Sequence, residues 1–159
     1  MIIRPATAAD AARIVALWNP VIRDTTITFS SEEKTVDGIK ADIAAYGGAF
    51  MVAEDAGTIL GFARYGQFRG GPGYRYSQEH TIILAPEGRG QGVGRALMSA
   101  IEDHGRQNGV HVMVAGVSGE NAAGIAFHKA VGYVVTGEMP EVGYKFGRWL
   151  DLVLLQKIL

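Results

Sequence analysis

Four glycines alternate through Gly88-Arg89-Gly90-Gln91-Gly92-Val93-Gly94-Arg95, between a strand-like segment and the strongest helical pattern in the chain. Without Cβ atoms the backbone there can turn sharply and approach a ligand closely. The amides after the turn open a helix, where unpaired donors and the macrodipole favour an anion. The run therefore reads as a phosphate or pyrophosphate cradle, or else as a tight strand-to-helix turn. Two common phosphate motifs do not fit. The spacing G-x-G-x-x-G fails in both registers, meeting Val93 or Arg95 where the third glycine is needed. Gly119 and Gly124 have P-loop spacing, but Ile125-Ala126 stands where Lys-Ser/Thr is required. What remains is strand, Arg-x-x-Gly-x-Gly, helix.

The pattern on either side of that turn is that of an α/β chain. Residues 1–5 read as a short strand, and Thr7 with Asp10 has helix-start spacing. Ile14, Leu17, Trp18 and Val21 share a helical face, which Pro20 is expected to end or kink. Thr35 is placed to cap a second helix with Val36, Ile39, Ile43 and Tyr46 on one face, stopped by Gly47-Gly48. Residues 50–54 and 59–63 form a hairpin pattern, and residues 76–84 follow as a strand. The helix over residues 92–108 buries Val93, Ala96, Leu97, Ala100 and Ile101, with Arg95, Glu102, Asp103 and Arg106 off that stripe. Strand 110–115, helix 120–131 and strands 133–135 and 150–155 complete the order β-α-α-β-β-β-α-β-α-β-β, an α/β domain on a mixed sheet.

Composition narrows the function. The 159 residues fit one domain, 1–159. There is no cysteine, which excludes disulfide scaffolds, zinc ribbons and thiol nucleophiles. His80, His104 and His111 lack ligand spacing, so no metal site is expected. A net charge of −1 without a basic stripe argues against nucleic acid. No apolar run approaches the ~20 residues needed to span a bilayer, and the expectation is a cytoplasmic protein with no membrane partner.

Arg89-x-x-Gly92-x-Gly94 resembles the acetyl-CoA motif of the GNAT N-acetyltransferases. Asn121-Ala122-Ala123, Phe127-His128-Lys129 and Gly132-Tyr133 resemble the later motif of that family. Gly143-Tyr144-Lys145-Phe146-Gly147-Arg148-Trp149-Leu150-Asp151 is similar to the phosphinothricin and methionine sulfone/sulfoximine acetyltransferase branch. The resemblance covers the whole chain. It implies the GNAT fold, a mixed sheet with splayed central strands flanked by helices, the splay falling between residues 76–84 and 110–115. Acetyl-CoA would lie in that V as co-substrate. Its pantetheine would bond the backbone of Ile82, Ile83 and Leu84. Its pyrophosphate would rest on the amides of Gly90, Gln91, Gly92, Val93, Gly94 and Arg95, with Arg89 or Arg95 nearby. Asn121 would contact CoA, or cap the helix that follows, or both.

An amine attacks a thioester only as the free base, so a general base helps. Glu79 matches the catalytic glutamate of the resembled branch. A carboxylate of pKa about 4.3 needs burial, or an intervening water, to serve. His128 stands where many family members carry a tyrosine that protonates the leaving thiolate. It would act as that acid, hold a water, or simply pack near the cofactor. Arg69, Pro72, Gly73, Tyr74 and Arg75 form a loop whose arginines suit a carboxylate, and the matching stretch lines the acceptor pocket in the branch. The implied function is transfer of acetyl to the α-amine of a small amino-acid-like acceptor by a homodimer. A protein N-terminal or lysyl acetyltransferase and a non-catalytic CoA-binding sensor are the alternatives.

Overall fold

The computed structural model describes all residues, 1–159. Seven strands form one sheet in the order β1-β2-β3-β4-β5-β7-β6. They are β1 (Ile2–Pro5), β2 (Phe50–Asp55), β3 (Thr58–Gln67), β4 (Ser77–Leu84), β5 (Val112–Ser118), β6 (Val134–Lys145) and β7 (Arg148–Ile158). The helices are α1 (Ala11–Asp24), α2 (Val36–Tyr46), α3 (Val93–Gln107) and α4 (Ala122–Ala130). Every strand pair is antiparallel except β4 with β5, which the crossover helix α3 connects.

Period-two alternation divides the core between the two faces. Phe50, Val52 and Phe62 pack with Ile14, Trp18 and Ile39 under α1 and α2. Ala53, Ala63 and Tyr65 turn the other way and pack with Leu97, Met98 and Ile101 of α3. A register shift puts Ile59, not Leu60, opposite Glu54, and so returns Ile59 to the α1/α2 side. Burying each large aliphatic side chain contributes about 1.5–3 kcal/mol.

Several elements differ from the sequence pattern. α1 runs four residues beyond Pro20. The proline removes one donor, and packing of Leu17, Trp18 and Ile22 outweighs that loss. Glu102 is buried on α3, because Lys157 Nζ at 2.7 Å and Tyr133 Oη at 3.2 Å reach in to its carboxylate. β5 begins at Val112, two residues later than the apolar run suggests, and ends at Ser118. β6 continues to Lys145, through the glycine- and glutamate-containing stretch that carries no strand alternation.

The parallel pair positions the site. β4 and β5 are in register only at Ser77↔Val112, Gln78↔Met113 and Glu79↔Val114. β4 then runs on to Leu84 and β5 to Ser118 without pairing, so the sheet opens into a V with Glu79 at its vertex.

Candidate active site

The V is a cleft of about 240 Å³. Residues 79–83 and 115–118 form its floor. Asn121 and His128 close one side, and Trp18 with residues 27–29 the other. A smaller cavity of about 170 Å³, lined by Tyr46, Arg64, Gly66 and Gln67, shares Glu79 and Thr81 with the first. The Glu79 carboxylate thus faces both spaces. Glu79 is solvent-exposed as a residue, and partial desolvation by the surrounding walls raises its pKa above the ordinary carboxylate value. A methyl group on Gly116 would lie 3.3 Å from Glu79 Oε1, so the bare glycine leaves the carboxylate its room.

At the outer end of the V the glycine turn enters α3. Gly90 (φ +72°) and Gly92 (φ +79°) hold left-handed backbone, and neither would meet a neighbour with a Cβ in place. The space above them is open. The first helical bond of α3 runs from the Ala96 N–H to the Gly92 carbonyl, which leaves the amides of Val93, Gly94 and Arg95 without backbone acceptors. Gly94 instead permits close packing, since a Cβ there would lie 3.1 Å from the Phe127 ring and 3.3 Å from Leu84. Arg89 and Arg95 are both exposed beside the turn. Beyond Glu79, the groups of Ile82, Ile83 and Leu84 that face β5 have no strand to pair with. A cradle of free amides and an unpaired strand edge fit a pyrophosphate joined to an amide-bearing arm.

His128 is held at both ring nitrogens. Nδ1 lies 2.7 Å from the Gly124 carbonyl, so Nδ1 carries the proton and donates it. Nε2 lies 2.9 Å from His80 Nε2. In the neutral pair His80 donates, and its Nδ1 is left as a buried atom without a hydrogen bond. Burial lowers both pKa values. For His80, repulsion from His128 adds to this and the nearby Val114 carbonyl opposes it; for His128, the Gly124 carbonyl opposes it. Tyr133 packs edge-on against both rings at 5.4 and 5.5 Å. Asn121 caps α4, its Oδ1 accepting from the Gly124 amide at 2.9 Å, and also lines the cleft.

The fold therefore brings Glu79, Ile82, Ile83, Asn121 and His128 to one cleft, with Leu84 and residues 89–95 at its outer end. It leaves Arg69, Pro72, Gly73, Tyr74 and Arg75 outside. Arg69 stacks on Tyr74 at 5.6 Å and Arg75 on Tyr76 at 4.5 Å. Arg75 also donates to the Pro72 carbonyl at 3.1 Å. The arginine that does line a cavity is Arg64, paired with Asp42 at 2.7 Å and set against the rings of Trp18 and Tyr46. His80, Arg64, Trp18 and residues 27–29 line the two cavities, and the sequence pattern does not single them out. Only His80, adjacent to Glu79, carries any local signal. No group of three or more histidine, cysteine or carboxylate side chains comes together as for a metal. No helix is long and apolar enough to cross a membrane.

The mixed sheet is split at its one parallel pair, with unpaired amides at one end of the split and Glu79 at the other, an arrangement compatible with holding an acyl-CoA. The family model described as an acetyltransferase (GNAT) domain matches residues 3–154, and the chain belongs to that family. It is 40% identical over 159 residues to the L-methionine sulfoximine/L-methionine sulfone acetyltransferase of Salmonella typhimurium, covering 98% of this chain and 93% of that one. A solved Salmonella typhimurium acetyltransferase with its cofactor acetyl-CoA superposes with a TM-score of 0.94 at 39% identity, over 99% of this chain and 93% of that one. A solved ribosomal-protein-alanine N-acetyltransferase from Brucella melitensis gives 0.95 at 36% identity, over 100% of both chains.

Proposed function

We propose that the protein, acting as one domain over residues 1–159, transfers acetyl from acetyl-CoA to the α-amine of a small amino-acid-like acceptor. Methionine sulfone, methionine sulfoximine and phosphinothricin are the acceptors to test first. The observation that carries this reading is the position of Glu79, at the vertex of the V where β4 and β5 part and lining both cavities. When bound, acetyl-CoA supplies an activated acyl thioester. The free amides of Val93, Gly94 and Arg95 bind its pyrophosphate, Gly90, Gln91 and Gly92 give it room, and Arg89 or Arg95 adds charge. The open edge at Ile82, Ile83 and Leu84 orients its amide arm, and Asn121 meets it from the α4 side.

Glu79 takes the proton from the acceptor amine. A carboxylate with a raised pKa is a stronger base. With Nδ1 fixed on Gly124, His128 exchanges a proton only at Nε2, the atom it shares with His80. Arg69 and Arg75 lie outside the cleft of their own chain, so they take an acceptor carboxylate only across a dimer. Tyr144, Phe146 and Trp149, each more than half exposed on the edge hairpin, support such a homodimer. The place of work is the cytoplasm, where acetyl-CoA is at hand.

The outward arginines also favour a second reading, acetylation of a peptide amine, which needs an open groove. Thiol release measured with amino acids and with an alanyl peptide separates the two. Greater kcat/KM for the peptide would overturn the first reading. CoA binding with no turnover of either would leave a sensor.

A further inference from the structure

Residues 25–35 join α1 to α2 with no helix or strand, yet residues 27–29 wall the cleft. Their fixed point is a lysine that comes from far along the chain. Lys145 ends β6 and is 4% exposed. Its ammonium donates to the carbonyls of Ile22 at 2.6 Å, Thr25 at 2.6 Å and Thr28 at 2.7 Å. All three donor sites are filled by backbone oxygens, with no carboxylate among them. The first two oxygens lie at the C-terminus of α1, where the macrodipole favours a cation. The third belongs to the cleft wall itself.

The same hairpin grips the segment twice more. Phe29 sits on Gly143, where a Cβ would come within 2.5 Å of its ring. Arg148, across the turn from Lys145, pairs with both oxygens of Glu120, and Glu120 Oε2 accepts from Thr26 Oγ1 at 2.8 Å. A segment without its own ladder is thus held from below by Lys145 and Gly143 and from the rim by Glu120.

We propose that Lys145 is the positioning residue for the acceptor-side wall, and that the β6–β7 hairpin thereby sets acceptor selectivity without touching the acceptor. This rests on the reading of the cleft as the acceptor site. Lys145→Met keeps the length of the side chain and leaves three carbonyls without their donor, one buried and two part-buried, which frees residues 25–28 to shift toward water. The expected result is a rise in acceptor KM on the order of tenfold, with acetyl-CoA affinity within about twofold of wild type. The ratio of kcat/KM for methionine sulfone over that for serine should fall, because the displaced wall no longer distinguishes side-chain size. A scaffold defect alone would lower both acceptors alike and weaken acetyl-CoA binding too. Gly143→Ala, which displaces Phe29 and spares the lysine, should move the same ratio in the same direction and serves if Lys145→Met does not fold. An unchanged ratio in a folded variant overturns the proposal. Wild-type protein that turns over no amino acid overturns the acceptor reading instead.

Discussion

The two ends of the cleft are built on opposite plans. The proposed cofactor end is backbone: three free amides and an unpaired strand edge, within residues 82–95. The proposed acceptor end is side chains gathered from across the chain, with Lys145 reaching a carbonyl 123 residues away at Ile22. A backbone site needs particular residue types in a short run, because only glycine leaves the amides uncovered at φ +72° and +79°. A site made of tertiary contacts needs no local pattern. The first plan resists change in the ligand it takes. The second allows different acceptors on the same frame.

The largest expected effect tests the vertex where the two plans meet. Glu79→Gln keeps the size of the side chain and removes the base. General-base catalysis contributes roughly 10²–10⁴-fold, so kcat should fall in that range at neutral pH. Acetyl-CoA affinity should stay near wild type, since Glu79 faces the cavities and not the glycine turn. Because partial desolvation raises the Glu79 pKa, wild-type kcat should climb as pH rises through that elevated value. The variant should lack that limb and regain rate only at high pH, where the acceptor amine is already deprotonated. A pH–rate profile of both forms decides. A variant with full kcat throughout would make Glu79 a structural residue.

Gly92→Val asks whether the backbone end is a ligand site at all. The position is left-handed (φ +79°), so a β-branched residue costs ~1–2 kcal/mol in strain and sets methyl groups in the open space. Calorimetry should show acetyl-CoA affinity reduced at least about tenfold in folded protein, each 1.4 kcal/mol being tenfold. Gly94→Val should also lower the melting temperature, because its Cβ meets Phe127 and Leu84. Unchanged affinity in both would move the pyrophosphate elsewhere.

The histidine pair belongs to neither plan, and pH separates it from Glu79. Both pKa values lie below the ordinary histidine value of about 6.5 because the folded state buries the rings neutral. The unfolded chain takes up those protons first as pH falls. The stability is therefore complete above pH 6.5 and lost progressively below it, by up to about 1.4 kcal/mol per pH unit for each histidine. Melting temperature should drop from pH 7 to pH 5, and His80→Gln should flatten that slope. An equal slope in the variant would show that other groups carry the pH dependence.

The same contrast explains what is legible in the sequence. The order of elements follows from local periodicity, whereas the V is implied only by the resemblance, because the short pairing of β4 with β5 leaves no local mark. The cofactor turn follows from its glycines. Glu79 and His128 stand out only through resemblance, since a lone glutamate or histidine has no local signature. Glu102 looks solvated in sequence because its partners, Lys157 and Tyr133, arrive from other elements. Lys145 stands out only through the resembled run 143–151, and its burial depends on the end of α1 lying beneath it.

The smallest expected effect concerns the arginine loop, where residue type points to a carboxylate site and geometry points away from the cleft. Arg75 is exposed, stacked on Tyr76 and bonded to Pro72 in its own loop. An arginine engaged with its own loop at the surface adds little to a ligand it does not face. Arg75→Ala should therefore raise acceptor KM by no more than about threefold in a chain that acts alone, well short of the ~1.5–3 kcal/mol of a charged hydrogen bond to substrate. Across a dimer the loop of one chain could complete the cleft of the other, and the rise would then be about tenfold or more. Measuring KM for Arg75→Ala and for Trp149→Asp, with the mass of each in solution, tells the cases apart. If Trp149→Asp gives a monomer whose acceptor KM rises as much as that of Arg75→Ala, the acceptor end extends across two chains. If the monomer keeps its KM, the cleft walled by residues 27–29 is complete in one chain, and Arg64 becomes the arginine to test for the carboxylate.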